Sequence, residues 1–370
     1  MKQIIFKATM EGCGVVNFDD KSQCFSLNKL GIKELLVKDG SGKFTENTKY
    51  AKKDFFVKKD EDGQPMKDDD GNLIYDYNIK ISGDCVRNAI FKNEVECVNP
   101  IIAKNPIIAC NYYLSKVGLT RGYLNAVKDE QGFKNKSCIT VTDAREISGA
   151  KSHIEIGSTS GERNETSMYY TEKIGDAKYA LEGIIDFKKL MFVVADPMFD
   201  RMAIHPDWVT SGLAEKTLRN FYGDKSQPTV GYFTSSSECT TNTIAEYGLI
   251  LNEELVVYLV KYLLKSIMGC SIKRNNAYAN VTSLSIKFID DIIFDKMDDA
   301  KGWIELKTKE DIEKLDFKVD CPYEKATEDD IKALETMRKE YEDGLKKAKD
   351  EKKKAKEEAA KRKNNKEVNE

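Results

Sequence analysis

The chain has 370 residues, 41% of them hydrophobic, which is enough to bury a sizeable core in a folded domain with additions. Its 59 Lys and Arg residues are outnumbered by 62 Asp and Glu residues, so the net charge of −3 excludes a uniformly basic nucleic-acid-binding protein and leaves only a local binding surface. Nine cysteines without a Cys-x-x-Cys pair and only two histidines indicate neither a disulfide framework nor a metal site, and no cofactor is expected.

The N-terminal residues MKQIIFKATMEG alternate as in a strand and lack the apolar region and cleavage site of a signal peptide. The most apolar window, 255–269, is shorter than the roughly 20 residues that span a bilayer, and it contains Lys261 and Lys265. We therefore expect a cytoplasmic protein with no membrane partner.

The first part of the chain predicts strands and turns. Residues 2–18 have the pattern of a strand, in which Gly12 and Gly14 indicate a bend or a close backbone approach. The Asp62-Gly63 and Asp70-Gly71 steps predict hairpin turns within an acidic insert at 58–72. A calcium loop is not favoured there, because the first ligand positions would be Lys58 and Met66.

Helices and a hairpin follow. Ser82 or Asp84 can cap a helix that runs to about residue 95, with Arg87 and Lys92 pointing away from its buried face. A second helix is predicted from Pro106 to residue 118. The segments 166–173 and 177–185 predict a hairpin around residues 175–176, and the apolar run 190–195 predicts a buried strand.

The last third combines helices, one strand and a charged end. A helix over 207–223, a core helix from Asn252 to Gly269 and a strand over 281–288 are predicted. Because strands and helices do not alternate regularly, the fold class is α+β with an antiparallel sheet. Beyond about residue 322 the composition predicts an exposed helix that frays into disorder.

Cations and aromatic side chains are concentrated between residues 145 and 201, a combination that supplies charge for phosphates and flat surfaces for bases. Met168, Tyr169 and Tyr170 can wedge between bases or stack on them. A second interpretation stays open, in which Met168 and Tyr170 face the sheet core and the lysines are solvated. The candidate phosphate ligands are Arg145, Lys151, His153, Arg163, Lys173 and Lys178.

Other basic residues lie outside this region. Arg121 stands between two glycines, where it can approach a phosphate or pair with a carboxylate. Lys273 and Arg274, followed by two asparagines, form a basic cluster that is either an RNA contact or a solvated loop. Arg201 can pair locally with Asp200 or Asp196.

The chain contains no phosphate loop, dinucleotide fingerprint or nucleophile elbow. A metal-independent endoribonuclease that uses His153 is one alternative, since RNA cleavage needs no metal. Another alternative is a single-copy structural protein that binds a partner through its charged C-terminal segment.

Several segments occur in an order that resembles one protein family. They are GVVNF at 14–18, SGDCVRNAIF at 82–91, GLTRGYL at 118–124, SMYY at 167–170, GDAKY at 175–179 and FDRMA at 199–203. Through them, over residues 4–300, the chain is similar to the repeated guide-RNA-binding backbone subunit of CRISPR effector complexes of the variant type I-F systems, within the RAMP superfamily.

The resemblance implies a modified ferredoxin-like, RRM-like palm over residues 1–321. It also implies inserted fingers or web at about 40–80, a protruding hairpin, the thumb, at about 149–185, and a charged tail at 322–370. The thumb of one copy would fold over the RNA held by its neighbour, with Met168 and Tyr169 as the wedge. Arg87, Lys92 and Arg121 would lie near the RNA backbone.

The resemblance further implies a noncatalytic role in antiviral defence. The expected partners are the guide RNA (crRNA), target DNA through that guide, other copies of the chain in head-to-tail order, and other CRISPR effector subunits. The acidic insert and the charged tail depart from the family pattern.

Overall fold

We describe the fold from a computed structural model, in which the described residues are 1–19, 50–95, 105–125, 132–158, 168–196, 202–235, 245–274, 277–290, 301–344 and 346. They form a mixed structure with a large antiparallel sheet, in agreement with the predicted α+β class. No helix in these ranges combines the length and apolar character needed to cross a membrane.

Nineteen strands are present in the described part of the chain. They are β1 Gln3–Cys13, β2 Phe18–Asp19, β3 Tyr50–Ala51, β4 Lys53–Val57, β5 Tyr75–Ile81, β6 Tyr123–Asn125, β7 Phe133–Asn135, β8 Ile139–Val141, β9 Ala144–Glu146, β10 Ser152–Ser158, β11 Met168–Ile174, β12 Asp176–Asp186, β13 Phe192–Val194, β14 Thr229–Ser235, β15 Glu246–Ile250, β16 Ser271–Arg274, β17 Ala277–Ile289, β18 Ile304–Leu306 and β19 Tyr323–Lys325.

The helices of the described ranges are mostly short. They are α1 Gly83–Val95, α2 Pro106–Tyr113, α3 Lys116–Arg121, α4 Phe187–Met191, α5 Pro206–Thr210, α6 Leu213–Tyr222, α7 Glu253–Met268 and α8 Lys309–Glu313, with a 3-10 turn at Gly223–Lys225 and a last helix over residues 328–344. The helices predicted from 106 and from 207 are each interrupted, the first by Ser115, which caps α3, and the second by Gly212, whose φ is +75°.

The larger sheet has nine strands in the order β16-β17-β1-β12-β9-β5-β4, with β18 beside β17 and β8 beside β12. Its inner face is apolar: Ile4, Phe6, Ala8 and Met10 of β1 are buried in one core with the helices. Residue 183 is glycine because the Phe6 ring packs against it, and a Cβ there would come within 2.2 Å of the ring. The sheet therefore has one buried face and one face that carries polar side chains.

The predicted close approach at Gly12 is confirmed. Gly12 pairs with Ala279 of β17, and a Cβ at residue 12 would lie 2.1 Å from the carbonyl oxygen of Tyr278. Gly14 has a φ of +78°, a backbone conformation that favours glycine, and marks the bend after β1.

The acidic insert forms two successive turns at the tip of the β4–β5 hairpin. Asp60 Oδ1 accepts a hydrogen bond from the Gln64 N–H (2.8 Å), and Asp68 Oδ1 accepts one from the Asn72 N–H (2.7 Å). The glycine of each turn has a positive φ, +77° and +82°. The predicted turns are thus confirmed, and each is held by a side chain that bonds to the backbone.

The predicted pairing of 166–173 with 177–185 is wrong. β11 pairs with β10, whereas β12 lies between β1 and β9 in the nine-stranded sheet. Only Gly175 separates β11 from β12, which is too short for a hairpin turn. The interval 149–185 therefore divides into a separate two-stranded hairpin and a central strand whose Ala177, Tyr179 and Leu181 are buried.

A smaller sheet has the order β13-β15-β14-β19, and its last strand belongs to the C-terminal segment. Leu334 of the last helix is 1% exposed, and the Arg338 guanidinium lies 2.6 Å from the buried carboxylate of Asp196. The predicted helix exists, but it is docked and not wholly exposed; residues 347–370 lie outside the described part. The buried carboxylate of Asp196 requires a partner of this kind.

Candidate nucleic-acid interface

Five predicted RNA-binding residues lie around α1 and the edge strand β16. We call this set the edge cluster; its members are Arg87, Lys92, Arg121, Lys273 and Arg274. The predicted cap is confirmed, because the Ser82 hydroxyl oxygen accepts the Cys85 N–H (3.4 Å) at the start of α1. Val86 and Ile90 are buried, whereas Lys92 is exposed and Arg87 is half-buried.

Lys92 and Lys273 line one open cavity of about 210 Å³ beside the sheet edge. Its other lining residues are Ala89, Gly269 and Ser271. Both lysines are exposed, and neither forms an ion pair with a described residue. Two such ammonium groups across an open cavity form a surface that attracts anions.

The two arginines of α1 and α3 have polar neighbours. The Arg121 Nη2 donates to Asn88 Oδ1 of α1 at 2.8 Å, so its partner is an amide and not the carboxylate considered from the sequence. Arg87 lies 3.6 Å from Asp84, whose side chain is 87% exposed. Such an exposed pair contributes little and is easily exchanged for another anion.

The thiol of Cys85, on α1, lies near the positive charges of Arg274 and Lys52. Burial raises the pKa of its thiol, while Arg274 and Lys52 oppose that rise. Arg274 therefore lies near α1, although it belongs to β16, and the tertiary structure joins segments that are far apart in the chain.

Four cations on or beside the polar face of the large sheet, away from its edge strand β16, have carboxylate partners. We call this set the ion-paired face; its contacts are Lys80 with Asp54 (2.5 Å) and Asp143 (3.0 Å), Arg145 with Asp54 (3.5 Å), Lys151 with Asp76 (2.8 Å) and Lys178 with Glu11 (2.8 Å). Arg145, Lys151 and Lys178 were candidate phosphate ligands. A phosphate must displace a carboxylate to bind any of them, so their charge is less available.

These pairs also shift proton affinities. The hydrogen bond from Lys151 holds the pKa of Asp76 below its usual value, against the effect of burial. Burial lowers the pKa of Lys80, but its hydrogen bonds with Asp54 and Asp143 outweigh that effect and raise it. Both shifts favour the charged forms of Asp76 and Lys80.

The hairpin β10–β11 holds the remaining predicted residues. His153 and Lys173 are directly opposite each other, and both are exposed. Met168 and Tyr169 are in β11 opposite Ser158 and Gly157, but their side chains, like the whole of Arg163, lie outside the described residues. Arg201 also lies outside them.

Sequence reasoning missed Tyr278. Its side chain is 45% exposed, and it is directly opposite Lys273 in the β16–β17 pair. The predicted strand began at residue 281, whereas β17 begins at Ala277. The signal was present as an aromatic residue just after the basic cluster.

Neither histidine belongs to a catalytic arrangement that the described residues reveal. His205 Nδ1 accepts the Asp207 N–H (3.2 Å) and caps α5, while His153 lies on the hairpin. Among described residues, no group of three or more His, Cys, Asp or Glu side chains is placed to hold a metal ion.

Residues 1–314 match the sequence model of a family described as Cas7fv-like, type I-Fv CRISPR-associated protein. No curated protein matches the chain. One similar solved structure, titled CRISPR RNA-guided surveillance complex, is 8% identical, with a TM-score of 0.33 over 79% of this chain and 72% of that chain. Another, titled CRISPR RNA-guided surveillance complex, pre-nicking, is 7% identical, with a TM-score of 0.35 over 78% and 77%.

Proposed function

The chain belongs to the Cas7fv-like family of type I-Fv CRISPR-associated proteins, and from that premise we propose that it is a noncatalytic backbone subunit that binds guide RNA. Several copies would follow one RNA in head-to-tail order and present its bases for pairing with target DNA, together with other effector subunits.

The edge cluster is the observation that carries the proposal. Lys92 and Lys273 face one open cavity, and Arg87, Arg121 and Arg274 surround the same helix and strand. Phosphates supply most contacts in such interfaces, and they position the RNA without reading its sequence. A subunit that must accept any guide sequence needs this kind of contact.

The hairpin β10–β11 supports a thumb, which we now place at residues 149–174, since β12 belongs to the sheet. We assign His153, Arg163, Met168, Tyr169 and Lys173 to contacts with the RNA of the neighbouring copy. Arg145 and Lys151 would be secondary contacts, because each already has a carboxylate partner.

The palm would be RRM-like and would include residues 1–321, with the β4–β5 region as the inserted part. The docked segment 323–344 extends this unit, so only the charged end beyond it remains a candidate tail.

A head-to-tail contact does not close on itself, and the RNA length would set the number of copies.

Light scattering with guide RNAs of increasing length tests assembly. We expect the mass to rise in steps with RNA length, and the protein alone to stay at the mass of a small species. The steps should weaken as salt is raised, because phosphate contacts are screened. A mass that does not depend on RNA length would contradict the proposal.

Gel analysis of the same RNA after incubation tests the noncatalytic part. We expect intact RNA with the wild-type protein. Fragments that disappear with His153→Ala would instead support the endoribonuclease alternative.

A further inference from the structure

We propose that Tyr278 is a stacking platform for an unpaired base of single-stranded RNA, an inference that rests on the proposed function. Tyr278 is 45% exposed, so one part of its ring is accessible to a ligand. It stands in β17, one strand in from the edge strand β16.

The register places Tyr278 between the two groups of predicted RNA ligands. Lys273, Tyr278, Cys13 and Asp176 are directly opposite one another across β16, β17, β1 and β12. Side chains that are directly opposite share a face of the sheet, so this row runs along the polar face. It leads from the edge cluster to the start of β12.

The base of the hairpin meets the same end of the sheet. The Gly14 N–H donates to the Ile174 carbonyl at 2.9 Å, which ties the bend after β1 to the last residue of β11. An RNA strand that passes from the edge cluster to the hairpin therefore crosses the row of Tyr278. Lys178 lies on this face as well, one row further along, paired with Glu11.

Gly12 keeps the Tyr278 backbone in place. Any side chain at residue 12 would collide with the Tyr278 carbonyl oxygen, so glycine allows β1 and β17 to pair closely at this point. The platform is thus fixed on a rigid strand and not on a loop, which reduces the entropy lost when a base stacks on it.

The chemistry fits a guide that varies in sequence. Every base has an aromatic face, so stacking on a tyrosine does not discriminate between bases. Lys273, directly opposite, supplies the charge for an adjacent phosphate. Together they form one phosphate contact and one base contact on neighbouring strands.

Fluorescence anisotropy of a labelled homopolymeric RNA with the full chain tests the inference. Tyr278→Leu should weaken binding roughly tenfold, or about 1.4 kcal/mol, because one stacked base is lost, and it should not change the salt dependence. Tyr278→Phe should bind within about twofold of wild type, because the ring is retained. Lys273→Gln should instead reduce the salt dependence. Tyr341→Leu, at a tyrosine 49% exposed on the last helix, is the matched control and should have no effect.

The outcomes separate the two proposals. If Tyr278→Leu binds as tightly as wild type while Lys273→Gln binds more weakly, the platform is wrong and the proposed function stands. If the wild-type chain does not bind RNA, both are wrong. An RNA with an abasic site in every position should bind Tyr278→Leu and wild type with equal affinity. If wild type still binds that RNA more tightly than Tyr278→Leu by the same factor, the inference is also overturned. Thermal unfolding checks that each variant is folded.

Discussion

The edge cluster and the ion-paired face both carry cations, but they differ in what surrounds those cations. Around α1 and β16, Lys92 and Lys273 face an open cavity and Arg121 is held by an amide. On the polar face of the sheet, Lys80 and Lys178 contact carboxylates at 3.0 Å or less. Equal positive charge along a sequence is therefore not equal capacity to bind a phosphate.

The reason is one of competition. An ammonium group that already donates to a carboxylate must lose that contact before it gains a phosphate, so the net free energy is small. A lysine at an open cavity loses only water and bound counterions, and release of counterions favours binding. The comparison predicts that substitutions in the two regions have different consequences.

The largest effect is expected when both cavity lysines are neutralised. Lys92→Gln with Lys273→Gln should weaken RNA binding roughly tenfold at 0.15 M salt and lower the salt slope by about 1.4, the value for two phosphates of a single strand. Filter binding over a range of salt measures both quantities.

The matched control removes the same charge from the ion-paired face. Lys151→Gln with Lys178→Gln should change RNA affinity by less than about twofold, since both lysines are already paired. Equal losses in the two double variants would contradict the distinction between the regions.

For the stability of the fold, the substitution in the ion-paired face should have a larger effect than the one in the edge cluster. Lys80→Met leaves Asp54 and Asp143 without their shared ammonium group and should lower the free energy of unfolding by about 1 kcal/mol. Lys92→Met should leave it within about 0.5 kcal/mol of wild type, because the side chain is exposed and unpaired among described residues. Urea unfolding monitored by circular dichroism compares them, and a larger loss for Lys92→Met would refute the expectation.

A smaller effect tests whether the carboxylate partner is what keeps a lysine from binding a phosphate. Glu11→Gln removes the partner of Lys178 and should raise RNA affinity about twofold. Glu305→Gln removes a charge from the exposed partner of Lys307 and serves as the control for overall charge. If both variants gain equally, the effect is one of net charge only.

The smallest effect concerns pH. The pKa of Asp76 is lowered in the folded chain, first by the hydrogen bond from Lys151, so this contact stabilises the fold above the ordinary Asp pKa of about 3.9 and is lost as pH falls through the lowered value. Lys151→Gln should therefore cost about 0.3 kcal/mol more at pH 7 than in strong acid, where the ammonium group keeps only its hydrogen bond to the Tyr77 carbonyl oxygen (2.8 Å) and its contact with the Tyr77 ring. Urea unfolding at both pH values checks the sign; an unchanged difference in acid would exclude this cause.

The sequence predicted much of the fold where the signal is local. The α1 cap, the turns of the acidic insert and the core helix α7 follow from side chains within a few positions of one another. The close approach at Gly12 was indicated by the glycine itself. The resemblance to the variant type I-F backbone subunit is likewise confirmed by the family match over residues 1–314.

Strand pairing was harder to predict from the sequence. The alternation of 166–173 and 177–185 identified two strands but not their partners, because alternation gives the faces of a strand and not its neighbour. β12 pairs with β1 over the whole strand, whereas β11 pairs with β10. The docked C-terminal helix was missed for a similar reason, since Leu334 and Arg338 have partners far away in the chain.

By itself, the sequence determined the family and the α+β class and supplied the candidate cations for an RNA interface, since these depend on local pattern and motif order. Only the tertiary structure decided which of those cations are available. Lys178 is in β12, and its carboxylate partner Glu11 is in β1. Lys273 is in β16, and the exposed ring of Tyr278 opposite it is in β17. Coulomb and stacking energies depend on distance in space, which position along a chain does not give.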